Sequence, residues 1–336
     1  MSKTMSHYWR NKNVFVTGAG GFIGSHLTET LVKTGARVRA MVHYNSRSHW
    51  GFLEPWSAQT PSNLDVVSGD IRDAALMRHF IEKQDVVFHL AALIAIPYSY
   101  VAPQSFVETN VLGTLNILEA ARLHKTKRVI HTSTSEVYGT ARYTPMDEEH
   151  PLQGQSPYSA SKIAADQLAL SFYRSFELPV TVVRPFNTYG PRQSARAVIP
   201  TILSNLLSGQ KTLTLGDTKP VRDFTYVTDT VQGFLAAAQS NTLGDVINIG
   251  SGRGWSIREI AQHCATLLHA GPLHFSVDKR RLRPTQSEVW KLICDNGKAR
   301  RRMHWTPSVS LDMGLAEVTR YIRSHADQYK SARYNI

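Results

Sequence analysis

The chain has 336 residues, 42% of them hydrophobic and 19% charged, a globular balance that excludes wholesale disorder and leaves room for a large α/β domain plus a further lobe. Two cysteines, Cys264 and Cys294, exclude a disulfide scaffold and a cysteine-based metal cluster, and no metal site is expected. The formal net charge of +12 points to anionic partners, but no apolar run nears the ~20 residues a membrane span needs, and Met1 to Lys12 is polar rather than signal-like, so the expectation is a cytoplasmic protein with no membrane partner.

The first half repeats one grammar: a β-branched run, a glycine or polar turn, then a helix-compatible stretch. The runs are Val14–Val16, Arg37–Val42, Leu64–Val67, Asp85–Leu90, Arg128–Ile130 with His131, and Val180–Val183, with Val246–Ile249 as a later seventh. Short apolar strands alternating with helices predict a parallel sheet covered on both faces. After Arg184 prolines 185, 191 and 200 break the pattern, and helices are expected over Thr201–Ser208, Ile257–His269 and Leu311–Ser324. The expected fold is a Rossmann-type doubly wound α/β domain over 1–184 plus about 227–249, with a smaller mixed substrate-binding lobe over about 185–226 plus 250–336. Basic residues cluster at Lys279–Arg283 and Lys298–Arg302, which read as solvated faces.

Thr17-Gly18-Ala19-Gly20-Gly21-Phe22-Ile23-Gly24 follows the first strand and opens an apolar helix. Glycines 18, 21 and 24 let backbone approach a pyrophosphate, and the helix N-terminus supplies free N–H groups. The spacing departs from G-x-G-x-x-G, because Ile23 stands where that pattern has its last glycine. No Asp or Glu lies between Gly35 and Phe52 to hold ribose hydroxyls, whereas His43 and Arg47 could bind a 2′-phosphate, so NADP is favoured over NAD. Asp70, closing the third strand, is a candidate partner for the adenine amine, or else a helix cap.

Ser156-Pro157 reads as a helix start that places Tyr158 and Lys162 one turn apart on one face. An ammonium held near the phenol is expected to lower its pKa and make Tyr158 a base for a sugar hydroxyl. The fifth strand ends in Thr134-Ser135-Glu136, at the edge where open parallel sheets bind ligands.

With these residues assembled, the chain resembles the extended short-chain dehydrogenases/reductases of the nucleotide-sugar epimerase/dehydratase branch. The markers are the Thr17–Gly24 turn, Gly69-Asp70-Ile71-Arg72, His89-Leu90-Ala91-Ala92, Asn110-Val111-Leu112-Gly113-Thr114, Thr134, Tyr158 with Lys162, Arg184–Arg192 and Arg222–Asp229. Ser135-Glu136 after the threonine resembles GDP-mannose 4,6-dehydratases and also UDP-glucuronate decarboxylases. Val42–Ser46 and Arg283-Pro284 with Ser287-Glu288-Val289 resemble 4,6-dehydratases of legionaminic-acid-type pathways.

The resemblance implies an NAD(P)-dependent nucleotide-sugar 4,6-dehydratase. Tyr158, with Lys162 and Thr134, takes the C4 hydroxyl proton while hydride leaves C4; Glu136 takes the C5 proton, water leaves C6, and hydride returns there. The proton for the leaving hydroxyl comes from Ser135 or a water it positions, or from Glu136 acting as both base and acid. The cofactor, tightly bound and regenerated each turnover, is implied to touch Gly18, Gly21, Phe22, Ile23, Gly24, His43, Arg47, Asp70, Ile71, Ala91, Tyr158, Lys162 and Pro185. Asn187, Arg192, Arg222, and Arg281 or Arg283 are implied to hold a GDP- or UDP-linked hexose or N-acetylhexosamine. Helices over Pro103–His124 and Pro157–Glu177 are implied to pair in a homodimer, with Leu112, Leu115, Leu118, Leu168 and Leu170 in core or interface. The alternatives are a UDP-glucuronate decarboxylase, a C4 epimerase, which Glu136 disfavours, and a non-catalytic dinucleotide-sensing or RNA-binding relative, which the Tyr–Lys pair disfavours; nucleic acid is not an expected partner.

Overall fold

The apolar runs become one sheet because each can be buried on both faces. In the computed structural model, which describes residues 7–329, β1 (Asn13–Thr17), β2 (Arg37–His43), β3 (Leu64–Gly69), β4 (Val86–His89), β5 (Arg128–Thr132), β6 (Val180–Pro185) and β10 (Val246–Ile249) form a parallel sheet in the order β10-β6-β5-β4-β1-β2-β3. Side chains alternate between two cores, as strand geometry requires. Val14, Val16, Phe88 and Val183 enter one core, while Phe15, Val87, Val129 and Val182 enter the other.

Strand order reverses between β1 and β4, and open α/β sheets keep their ligand crevice at that switch. Thr17 fixes the two strand ends there: its Oγ1 accepts from Leu90 N at 3.1 Å and Ala91 N at 3.0 Å. The helices α1 (Phe22–Lys33), α2 (Ala74–Ile81), α5 (Gly113–Leu123), α6 (Pro157–Phe176) and α8 (Val227–Gln239) cover the sheet. Ser156 caps α6 in a reciprocal box with Ser159, and Pro157 occupies the first turn, as the sequence leads one to expect.

The helix expected over Pro103–His124 is interrupted. A short α4 (Pro103–Phe106) leads into a π-helical turn over Val107–Leu112 before α5 resumes. Asn110 in that turn is buried; it accepts from Leu93 N at 2.8 Å and donates to Leu93 O at 2.9 Å and Ser161 Oγ at 3.0 Å. The turn thus ties the loop after β4 to α6, which helical i→i+4 bonding alone would not do. Of the five leucines expected in core or interface, Leu118 and Leu170 are buried in the core, Leu115 and Leu168 pack partly against it, and Leu112 is exposed.

The rest of the chain builds a second core. β7 (Asn187–Tyr189) and β11 (Gly254–Ser256) flank β9 (Val221–Tyr226) with β13 (Lys291–Leu292), while β8 (Thr212–Leu215) pairs with β12 (His274–Val277). Over these pack α7 (Val198–Leu207), α9 (Ile257–Leu267) and α11 (Leu311–Ser324). Ala299 and Met303 of α10 (Gly297–Met303), with Trp305, instead join the core of the large sheet, because the apolar side of α10 meets β10 and α8. Two buried carboxylates anchor this half. Asp223 accepts from Ser251 N and Gly252 N at 2.8 Å each and from Cys294 N at 3.1 Å. Asp229 accepts from Ser308 N at 3.0 Å and Val309 N at 2.9 Å. Neither pairs with Arg222, whose side chain lies on the opposite face of β9 from Asp223.

Candidate active site

The glycine turn is closed against backbone on every side. Gly18 has φ +69°, and a Cβ there would stand 2.9 Å from Ala91 N. A Cβ on Gly24 would lie 2.1 Å from Gly18 O. No side chain can therefore fill the cradle, and α1 begins directly after it with Gly21 as an N-cap that offers no side-chain partner. The first N–H groups of α1 face the crevice unfilled, which suits a phosphate. The segment Trp50–Phe52 lies over the turn, with Phe52 N donating to Gly20 O at 2.9 Å. This cover has no sequence signal beyond Gly51, whose φ of +65° lets the chain pass Gly20.

A cavity of about 1000 Å³ opens at the switch point. Its dinucleotide end is lined by Gly18, Gly21, Phe22, Ile23, Gly24, His43, Asp70, Ile71 and Ala91, with Pro185 further along. Asp70 does not cap α2; Asp73 does, accepting from Leu76 N. The Asp70 carboxylate is held by Arg72 Nη2 at 2.6 Å, and that hydrogen bond lowers its pKa. Arg47 is a correction. It is exposed and absent from the lining, because its own N–H is turned onto Asn45 Oδ1 at 3.2 Å in a local turn. His43, Asn45 and His49 line that part of the cavity instead.

The opposite end carries Thr134, Ser135, Glu136 and Tyr158. Thr134 caps a short 3-10 turn, Ser135–Tyr138, with its Oγ1 accepting from Glu136 N at 3.2 Å. Tyr158 lies within hydrogen-bonding reach of the Thr134 side chain and close enough to feel the Glu136 charge. Lys162, buried one turn away, donates to Thr132 O at 2.6 Å. The expected lowering of the Tyr158 pKa is not met. Burial raises it above the ordinary value, against the pull of the Thr134 bond. Burial also brings the Lys162 ammonium down to about 8, with Asp166 opposing. Desolvation penalises both charged forms, and it outweighs the opposing pull of Thr134 on the one and of Asp166 on the other.

Around Glu136 the charges are paired crosswise. Arg283 Nη1 lies 3.4 Å from Glu136 Oε2, and the buried Arg222 Nη2 lies 3.5 Å from Glu288 Oε1. Burial lowers the Arg222 pKa, while Glu136 opposes the fall. Arg283 lines the cavity. Asn187 lines it too, and its Oδ1 is a buried acceptor without a hydrogen-bond partner among the described residues. Two further corrections concern arginines expected at the substrate. Arg192 turns back to α1, donating to Glu29 at 2.7 Å and Ser25 at 3.1 Å from a backbone at φ +70°. Arg281 lies 3.6 Å from Asp278, outside the lining.

The donor set fits a nicotinamide dinucleotide: a cradle that admits no Cβ, an unfilled helix start, and a long crevice leading to a buried phenol. Gly18, Gly21 and Gly24 would hold its pyrophosphate and Tyr158 and Lys162 its reactive end. No helix among the described residues is long and apolar enough to cross a membrane.

The comparisons agree with this geometry. A sequence model of the family described as GDP-mannose 4,6 dehydratase matches residues 15–318. The chain is similar to a UDP-N-acetyl-alpha-D-glucosaminuronate decarboxylase of Bacillus cytotoxicus, 35% identical over 93% of this chain and 98% of that protein. It is similar to a UDP-glucose 4-epimerase of Mycolicibacterium smegmatis, 34% identical over 92% and 98%. Among solved structures, the dTDP-glucose 4,6-dehydratase DesIV of Streptomyces venezuelae, crystallised with NAD, superposes with a TM-score of 0.85 at 31% identity, covering 96% of this chain and 100% of that one.

The closed turn generates a prediction. Gly18→Ala should fold but lose its dinucleotide, because both φ and the Ala91 contact oppose a methyl group. Chromatography of the nucleotide released by denaturation checks it; retention at the wild-type level would contradict the cradle.

Proposed function

Because this chain belongs to the short-chain dehydrogenase/reductase family of nucleotide-sugar dehydratases and epimerases, we propose that it is a nucleotide-sugar 4,6-dehydratase acting on a GDP- or UDP-linked hexose or N-acetylhexosamine. The observation that supports this reading is the Glu136 carboxylate standing in the cavity beside Tyr158 and Thr134. Epimerisation at C4 needs no second proton acceptor; elimination across C5–C6 does.

When bound, an oxidised nicotinamide would supply acceptance of hydride at C4, its return at C6, and one further positive charge. Tyr158 takes the C4 hydroxyl proton, with Thr134 orienting the phenol and Lys162 holding positive charge behind it. The C4 ketone acidifies the C5 proton, and Glu136 accepts it. The C6–O bond breaks, and the hydroxyl leaves as water with a proton returned by Glu136 or delivered through Ser135; C5 regains a proton when hydride is returned to C6, and the proton that Tyr158 took from the C4 hydroxyl makes up the balance. Arg283, in the lining, holds the diphosphate, with Arg222 buried behind the lining and offset by Glu288, and Asn187 Oδ1 accepts from a substrate donor.

The C-terminal end of β2 carries His43 and Asn45 and no carboxylate, and Asp70 is already taken by Arg72. This supports NADP over NAD. Exposed Val107, Leu112 and Phe176 on the π-turn and α6 support a homodimer through those helices. A second reading has one observation in its favour: the two arginines near Glu136 could receive a uronate carboxylate, as a decarboxylase requires.

Five outcomes check these proposals. A nucleotide-sugar panel read by mass spectrometry should give loss of one water; loss of carbon dioxide would select the decarboxylase. Tyr158→Phe should lose activity by about 10²-fold or more, whereas Glu136→Gln should still accumulate reduced dinucleotide without water loss. The nucleotide released from denatured protein should carry a 2′-phosphate, and light scattering should give a dimer; unphosphorylated NAD or a monomer would overturn the respective proposal.

A further inference from the structure

Behind the cavity wall lies a buried charged layer of which the steps above use only Tyr158 and Lys162. Tyr158, Lys162 and Asp166 succeed one another at one-turn intervals along α6. Asp166 is fully buried. Its Oδ2 accepts from Ser133 Oγ at 2.7 Å and from Arg184 Nε at 3.1 Å, and its Oδ1 lies 3.3 Å from His131 Nε2. Ser133 directly precedes Thr134, so this carboxylate touches the strand end that carries the substrate-facing hydroxyl.

The groups facing Lys162 are Tyr158 and Asp166 on its own helix, His131 on β5 and His89 on β4. Burial lowers the pKa of both imidazoles, leaving them neutral. Arg184, from β6, acts on Asp166 rather than on Lys162. Arg184 pairs directly with this carboxylate at 3.0 Å, and Lys162, one helical turn from it in the same buried layer, feels its charge; a buried ammonium is tolerated only with such compensation.

We propose that Asp166 is a positioning residue for the reaction: its carboxylate keeps Lys162 cationic beneath Tyr158 and, through Ser133, holds Thr134 where it meets the phenol. This rests on Tyr158 acting as the acid–base group. The balance at Lys162 supports it, since burial draws the ammonium toward neutrality and Asp166 is the charge that opposes the loss. Without Asp166, burial acts unopposed, and Lys162 loses its proton at lower pH. Activity that needs the ammonium falls as pH rises through that midpoint, so its alkaline limb must move to lower pH.

The test is Asp166→Asn, nearly the same shape without the charge. Full-length protein labelled at the lysine ε-carbon is titrated by NMR, with the Lys162 signal assigned by Lys162→Met. The midpoint should fall by about one pH unit or more, and the alkaline limb of water loss should fall with it. A role confined to packing or to neutralising Arg184 would lower stability and leave both midpoints in place, which would overturn the proposal. If Asp166→Asn does not fold, Asp166→Asn with Arg184→Met removes both charges together, and the same fall is expected. A moved midpoint in a protein whose wild type removes no water from any nucleotide sugar would sink the dehydratase reading and leave the role of Asp166 standing.

Discussion

One contact sets the active site: the Lys162 ammonium on the Thr132 carbonyl at 2.6 Å. It exists because the ladder runs out. β4 ends at His89, paired with His131, so the next carbonyl on β5 lies beyond its neighbour's last residue. Ala91, which follows β4, spends its N–H on Thr17. A buried carbonyl without a strand partner must find another donor, and α6 supplies one. This pins the axial position of a 20-residue helix against the sheet. One turn toward its start, Tyr158 then meets Thr134; one turn toward its end, Asp166 meets Ser133 and Arg184.

The same burial that makes the contact strong makes the pair reluctant to be charged. Tyr158 is driven toward the phenol and Lys162 toward the amine by one cause, desolvation. An oxidised dinucleotide would add one positive charge beside the phenol and so favour its ionisation.

Much of this was legible from residues. Every strand of the large sheet announces itself as a short β-branched run, because parallel strands buried on two faces have no polar positions to spare. The Tyr158 helix start and the glycine turn are local chemistry, and local chemistry reads well. The arginines read poorly. Arg47, Arg192 and Arg281 stand beside motif residues, but a long side chain reaches whichever carboxylate or turn lies within its radius: Glu29 is a neighbour of Arg192 only in space, while Asp278 stands three residues before Arg281. Asp166 went unnoticed for the converse reason. Its spacing from Lys162 is as plain as that of Tyr158, but a carboxylate on a helix ordinarily faces water, and only the arrival of β5 and β6 turns it into a buried counter-charge.

Charge counting around Glu136 also bears on which sugar the cavity favours. Glu136 and Glu288 offset Arg283 and Arg222. On the proposed function, a diphosphate meeting Arg283 would compete with Glu136 for its 3.4 Å contact. A neutral hexose asks for nothing more. A uronate would add a further carboxylate beside Glu136 and Glu288, while the lining holds only one arginine besides Arg283, and that one, Arg72, is committed to Asp70 at 2.6 Å. Desolvating a third negative charge without a cation to meet it costs several kcal/mol. Within the proposed function, the balance of fixed charge therefore supports a sugar whose C6 bears a hydroxyl, with Glu136 as the group that would take the C5 proton.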